Sequence, residues 1–262
     1  MNGTQIFARS MPEGRQILVY GMNVAAKEPV AMILPIPVLP GAPDDAVRFI
    51  DLQGYPKFLH DLDAAFPPEE IPAGRGGGLR LQLAPESRPL LRVHEVGDFV
   101  ASFVPSTADF ERLDPRFRLS DAIWDALPQY GDYGFAVFQL HDLGSRGGLL
   151  GKLTRRIQTK TIHPMAFEFP RRDPQAVFFP TIHVHDGQVH AKALFDHHLY
   201  VQPGPDERLD LRSPLEWRPN DTPLSHHLDG ERTAGIVDLE ANAFTMSKIG
   251  TLDNADTVVK LQ

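Results

Sequence analysis

The sequence predicts an α+β fold, mainly antiparallel β, with two similar β-rich halves and a few short helices. Three observations point there. Twenty-four prolines and twenty-one glycines divide the 262 residues into short apolar runs, which suits strands better than long helices. Only three segments carry helix-start signals. The chain also contains an internal echo. Val30-Ala-Met-Ile-Leu-Pro35, followed by Asp45-Ala-Val-Arg-Phe-Ile50, resembles Pro164-Met-Ala-Phe-Glu-Phe-Pro170, followed by Pro174-Gln-Ala-Val-Phe-Phe-Pro180. Each unit is a strand closed by proline, a polar connector, and a second strand that opens with Ala-Val. A duplication of this kind implies halves near 1–105 and 106–205, with the segment 206–262 packing across them, all in one compact unit over 1–262.

Strands are predicted over residues 16–24, 30–35, 46–51, 79–83, 97–104, 133–141, 165–169, 176–185, 188–195 and 199–202. These are apolar or alternating runs set among turn formers. Three more are expected at 235–239, 243–249 and 257–261. Ser106 or Thr107 caps a short helix ending at Leu113, and Ser120 caps another over 121–127, which Pro128 stops. A third helix is expected over 56–65. Phe167, Phe169, Phe178 and Phe179 are assigned to the core.

Composition narrows function mainly by exclusion. With 26 basic and 34 acidic residues the net charge is −8, which argues against nucleic acid as a partner. The one basic cluster, Lys152, Arg155, Arg156 and Lys160, reads as a solvated connector. The absence of cysteine excludes disulfides, thiolate metal sites and cysteine nucleophiles. No leader pattern opens the chain, and no run reaches the ~18 apolar residues of a membrane span. A soluble, cytoplasmic protein with no membrane partner is the expectation.

Five of the eleven histidines fall between His183 and His198. Asp186-Gly187 between two alternating runs signals a two-residue hairpin, because a type I′ turn needs positive φ at both positions. That turn pairs His185 with Gln188, Val184 with Val189, and His183 with His190. Period-two alternation then gathers His183, His185, Gln188 and His190 on one face, and Ile182, Val184, Val189 and Ala191 on the other. Three imidazoles about 5–7 Å apart at Cβ can converge on a tetrahedral zinc ion, leaving a fourth position for water. His183, His185 and His190 are therefore candidate metal ligands, with Asp196 or His197 as supporting groups. The same alternation also describes the outward face of an ordinary half-buried hairpin, shared with Thr181 and Lys192. A lysine there opposes a bound cation.

Other motifs carry less. His163, before a proline, reads as a hydrogen-bonded strand-edge residue, and His141-Asp142 as half of an acid/base pair with no nucleophile in a Gly-x-Ser-x-Gly setting. Ser225-His226-His227 reads as a loop. Gly74-Arg-Gly-Gly-Gly78 lacks the spacing of a dinucleotide site. The stretch 144–152 fails as a phosphate loop, with Arg146 where the first glycine belongs and Leu153 where a hydroxyl belongs. The acidic residues Asp44-Asp45, Asp61, Asp63 and Glu69-Glu70 suit solvated or capping roles.

In order along the chain come Met32-Ile-Leu-Pro-Ile-Pro37, Val96-Gly-Asp-Phe-Val100, a helical stretch ending at Leu127, Tyr133-Gly-Phe-Ala-Val-Phe138, His163-Pro-Met-Ala-Phe-Glu-Phe-Pro170 and Phe178-Phe-Pro180. This order resembles a bacterial family of uncharacterised, usually secreted domains catalogued as a domain of unknown function, over about residues 16–185. The resemblance implies a two-part β-rich fold and transfers no catalytic residue. The chain departs from it in lacking a leader pattern and the cysteines that members often carry. Two functions remain open: a non-catalytic binding or interaction module for a protein or small-molecule ligand, or a zinc-dependent hydrolase or hydro-lyase built on His183, His185 and His190. No organic cofactor is expected.

Overall fold

The central strand of the molecule, Thr4–Met11 (β1), is one that the sequence pattern does not announce. The computed structural model describes residues 3–21, 31–66, 94–113, 121–140, 163–184, 188–210 and 216–262. Within it, β1 is flanked by Arg15–Gly21 (β2) and Lys192–Gln202 (β10). Arg48–Ile50 (β4), Met165–Pro170 (β8), Arg218–Pro219 (β11) and Phe244–Asp253 (β12) complete a seven-stranded sheet of order β11-β12-β10-β1-β2-β8-β4. A four-stranded sheet runs Ala31–Ile36 (β3), Gly134–Leu140 (β7), Phe99–Val104 (β6), His94–Val96 (β5). Ala176–Phe179 (β9) pairs with Thr257–Lys260 (β13) in a third, two-stranded sheet. Among the described ladders only β1–β10 is parallel.

Alternation along the strands divides the core. Ile6 and Ala8 of β1, Leu18 and Tyr20 of β2, Phe167 and Phe169 of β8, and Leu199 and Val201 of β10 enter one cluster with β3, β6, β7, β9 and β13. The residues between them, Phe7, Ile17, Val19, Ala166 and Tyr200, face a second cluster. It is closed by Phe58–Asp63 (α1), which buries Phe58, Leu59 and Leu62, and by Leu224, Leu228, Ile236 and Val237. Burying a side chain of this size contributes roughly 1.5–3 kcal/mol. A third cluster covers the far face of the four-stranded sheet. There Phe110, Leu113, Leu127 and Tyr130 meet Phe135 and Val137.

The fold is thus β-rich and mostly antiparallel with few short helices, and individual elements differ from expectation in instructive ways. The predicted helix over 106–113 is a 3-10 turn, Thr107–Arg112, in which Ser106 Oγ bonds the Asp109 carboxylate at 2.7 Å. The 121–127 helix shortens to Asp121–Asp125 (α2). The expected strands 188–195 and 199–202 are one strand, β10, because β12 offers an unbroken ten-residue partner. Residues 235–239 form no strand; Ala234 and Gly235 have φ of 52° and 75°. The strand expected at 79–83 lies outside the described residues.

The predicted 97–104 strand is the second arm of a hairpin that turns at Gly97-Asp98. Gly97 has φ +59°, and a Cβ there would stand 2.2 Å from His163 Nε2. His163 is buried and T-stacked on Phe99. Its Nε2 accepts the Asp98 N–H at 2.9 Å, so Nδ1 carries the proton that reaches Pro164 O. The expected edge histidine is therefore a cross-sheet tie in the interior. Gly97→Ala combines a left-handed backbone with a clash against a ring that has nowhere to move. It should lower unfolding free energy by about 2–4 kcal/mol, read by urea denaturation; a loss below the error of the fit would refute this account.

Candidate functional site

The candidate site forms where the segment Thr181–Val184 lies against β10 and β12. The ladder pairs His197 with Lys248, Phe195 with Gly250 and Ala193 with Leu252, so these six residues occupy one face. His183 reaches that face from the adjoining segment. Its Nε2 lies 3.0 Å from His197 Nε2 with the rings at 71°, and both rings pack on Phe195 at centroid distances of 4.5 and 5.2 Å. At that distance one imidazole donates and the other accepts, so a single proton joins the pair. The Lys248 ammonium sits 4.0 Å over the Phe195 ring and donates to Thr181 Oγ1 at 3.2 Å and Ala255 O at 2.7 Å.

Beneath the histidines Asp256 closes the seam. Its carboxylate accepts the Thr181 and Ile182 N–H groups at 2.9 and 3.1 Å and the Tyr130 hydroxyl. Burial pushes the Asp256 carboxyl upward; the Tyr130, Ile182 and Thr181 hydrogen bonds and the Lys248 charge act against that. Burial likewise lowers Lys248, with Asp256 opposing. Tyr130 is raised by burial and by the neighbouring Asp256 charge. Tyr20 is pushed up to about 12, chiefly by burial. Asn254 holds the segment from the other end. Its Oδ1 accepts the His183 N–H at 2.7 Å, and its Nδ2 donates to His183 O and His190 O at 2.9 and 3.0 Å.

The predicted ligand set is only partly assembled. His183 meets His197, which the sequence offered as a supporting group, while Asp196 lies on the opposite face of β10 and is exposed. His190 is not paired with His183 across a hairpin. Among the described residues β9 pairs with β13, and β10 with β1 and β12. The two histidines are linked instead through Asn254. His185 lies outside the described residues, as do His141, the glycine stretches 74–78 and 144–152, and the basic cluster 152–160. Among the described residues no group of three or more His, Asp or Glu side chains is arranged to hold a metal ion.

The alternation itself is realised in part. Ile182, Val184 and Val189 all pack on the third apolar cluster, as the predicted apolar face requires. Lys192, expected beside the histidines, pairs with Asp253 at 3.2 Å at the end of the ribbon. The cation at the site is Lys248, which sequence reading missed together with Asp256, Asn254 and Tyr130. The only local hint was Asn254-Ala-Asp256, a polar turn between two predicted strands.

No family model matches the chain, and no curated protein matches it. Solved structures are similar to it at low identity. A chain in a crystal structure of the caspase-8/P35 complex shares 12% identity with a TM-score of 0.47, covering 99% of this chain and 96% of that one. A mutated baculovirus P35 after caspase cleavage gives 12% and 0.47 over 98% and 99%, and baculovirus P35 gives 10% and 0.41 over 99% and 96%. No residue role is carried over from them.

Because Asp256 titrates higher in the folded chain than in the unfolded one, folding favours its protonated form. Stability from this group therefore falls as pH rises from the ordinary aspartate value through the folded one. Asp256→Asn keeps an oxygen for both N–H groups and should gain on the wild type across that window. Asp256→Ala strands three donors and should cost about 2–4 kcal/mol at any pH. Urea denaturation at several pH values measures both; parallel wild-type and Asn curves would contradict the assignment.

Proposed function

We propose that the chain is a binding protein without catalytic activity, and that it engages an extended apolar segment of a partner at the end of the β10–β12 ribbon. The carrying observation is where apolar surface is left uncovered. Leu39, Leu194, Leu252 and Val258 are the exposed large apolar side chains among the described residues. Two of them, Leu194 at 58% and Leu252 at 37% exposure, occupy opposite faces of this ribbon one register step apart. Lys192–Phe195 pair only with β12 among the described residues, and beyond Thr245 no described strand lies along the outer edge of β12. An edge with no described partner strand and with leucines on both faces suits an added strand, whose main chain would supply hydrogen bonds while the leucines fill alternate side-chain positions.

Lack of catalysis is supported by the polar groups at the ribbon's base, which are engaged with one another. Thr181 Oγ1 bonds Ala255 O, Thr257 Oγ1 and Lys248, and each oxygen of Asp256 accepts a structural donor. A nucleophile needs a base poised to take its proton, and these groups serve the fold. An internal duplication is also our proposal. Of the two echoing units, the first sends strands to the four-stranded and seven-stranded sheets, and the second to the seven-stranded and two-stranded sheets.

Panning a random-peptide display library on the immobilised full chain tests the reading. Apolar, strand-forming peptides should be enriched and should bind Leu194→Glu/Leu252→Glu at least tenfold more weakly, with Leu39→Glu unchanged. Failure to enrich, or equal binding to the double variant, would overturn it.

A further inference from the structure

His183 and His197 bring two imidazole nitrogens together in a setting that does more than a hydrogen bond requires. We infer that they form a site for a divalent transition-metal ion of the zinc type, a pair of ligands different from the hairpin set the sequence suggested. The inference goes beyond the binding reading and does not rest on it.

Distance is the first ground. Zinc–imidazole bonds of about 2.0–2.1 Å with the observed Nε2···Nε2 separation of 3.0 Å give an N–Zn–N angle of about 95°. Opening the pair by about 0.3 Å reaches the tetrahedral angle. Such a shift is within the reach of His183, which is half-buried and lies outside the regular strands.

Preorganisation is the second. His197 sits within β10, paired to Thr4 of β1 on one side and Lys248 of β12 on the other. The His183 backbone is fixed by two bonds to Asn254 and by the Asp256 bonds to the two preceding N–H groups. Phe195 buttresses both rings. Ligands on a rigid frame bind with little ordering cost, and imidazole favours zinc, copper and nickel over hard cations.

Charge is the third. Lys248 opposes an incoming cation, but its ammonium is turned to Thr181 Oγ1 and Ala255 O. Two protein nitrogens leave the remaining positions for water or a donor from a bound molecule. The site is therefore open, unlike closed structural zinc sites.

The test uses the full chain without an affinity tag. Cobalt(II) is titrated into wild type while histidine ring resonances are followed by NMR, with zinc stoichiometry from equilibrium dialysis. One equivalent should bind, broadening the His183 and His197 rings first, and excess zinc should reverse the broadening. His183→Ala should weaken zinc binding at least tenfold, whereas His190→Ala should not. Because His197 is buried, its ring signals in the wild type stand in for a variant that fails to fold. Absence of a stoichiometric ion, broadening centred on another histidine, or wild-type affinity in His183→Ala would each overturn the assignment.

Discussion

The fold depends on one pairing, the parallel ladder between β1 and β10. Gln5 donates to the Tyr200 hydroxyl across 195 residues of sequence, and Thr4–Arg9 align with His197–Gln202. With β2 on its other edge and an apolar cluster on each face, β1 has no solvent-facing side over its middle. Everything else is arranged around that burial: the four-stranded and two-stranded sheets close one face, and α1 with the C-terminal turns closes the other. A strand joined to one so distant in sequence must wait for the intervening chain. Loop-closure entropy therefore sets the order of events, with local hairpins such as β1–β2 and β5–β6 favoured before the central ladder.

Much of the β-rich architecture was legible because hairpins and proline-bounded runs are local. The antiparallel strands from 133–141, 165–169, 243–249 and 257–261 appear nearly where alternation places them. β1 was not legible. Thr4-Gln-Ile-Phe-Ala-Arg-Ser-Met has an apolar run of only three residues and no alternation, although Asn2-Gly3 precedes it and Pro12-Glu13-Gly14 follows it. Its identity as a strand comes from two partners, one of them at the far end of the chain. Likewise the signal at Asp186-Gly187 predicted a ladder between flanking residues. β10 instead begins at Lys192, where β12 can match it residue for residue, and the longer ladder outweighs local turn propensity.

The same contrast explains the site. Alternation correctly separated His183 from Ile182 and Val184, since that depends only on backbone periodicity. What His183 would touch depended on where β10 lay. Parity then sent Asp196 away and His197 toward it. Asp256 and Lys248 come from segments whose own sequences describe a turn and a strand, and Tyr130 from the 3-10 turn Pro128–Tyr130 that follows the predicted 121–127 helix. Only the folded chain makes them a network, and a carboxyl enclosed there is tolerated because both of its oxygens accept hydrogen bonds.

The ribbon and the histidine pair share β10 but need not share energetics. His197 lies where β10 is held on both sides, within the seven-stranded sheet, and Leu194 lies where β12 is the only described partner of β10. Coupling between sites requires an element with two arrangements whose balance both ligands shift. A continuous ten-residue ladder joined at its end by the Lys192–Asp253 pair offers a single arrangement. Filling either site should then leave affinity at the other unchanged. A measured dependence between them would mean that the ribbon moves against the sheet, and the hinge would have to lie between Phe195 and His197, where pairing to β1 begins.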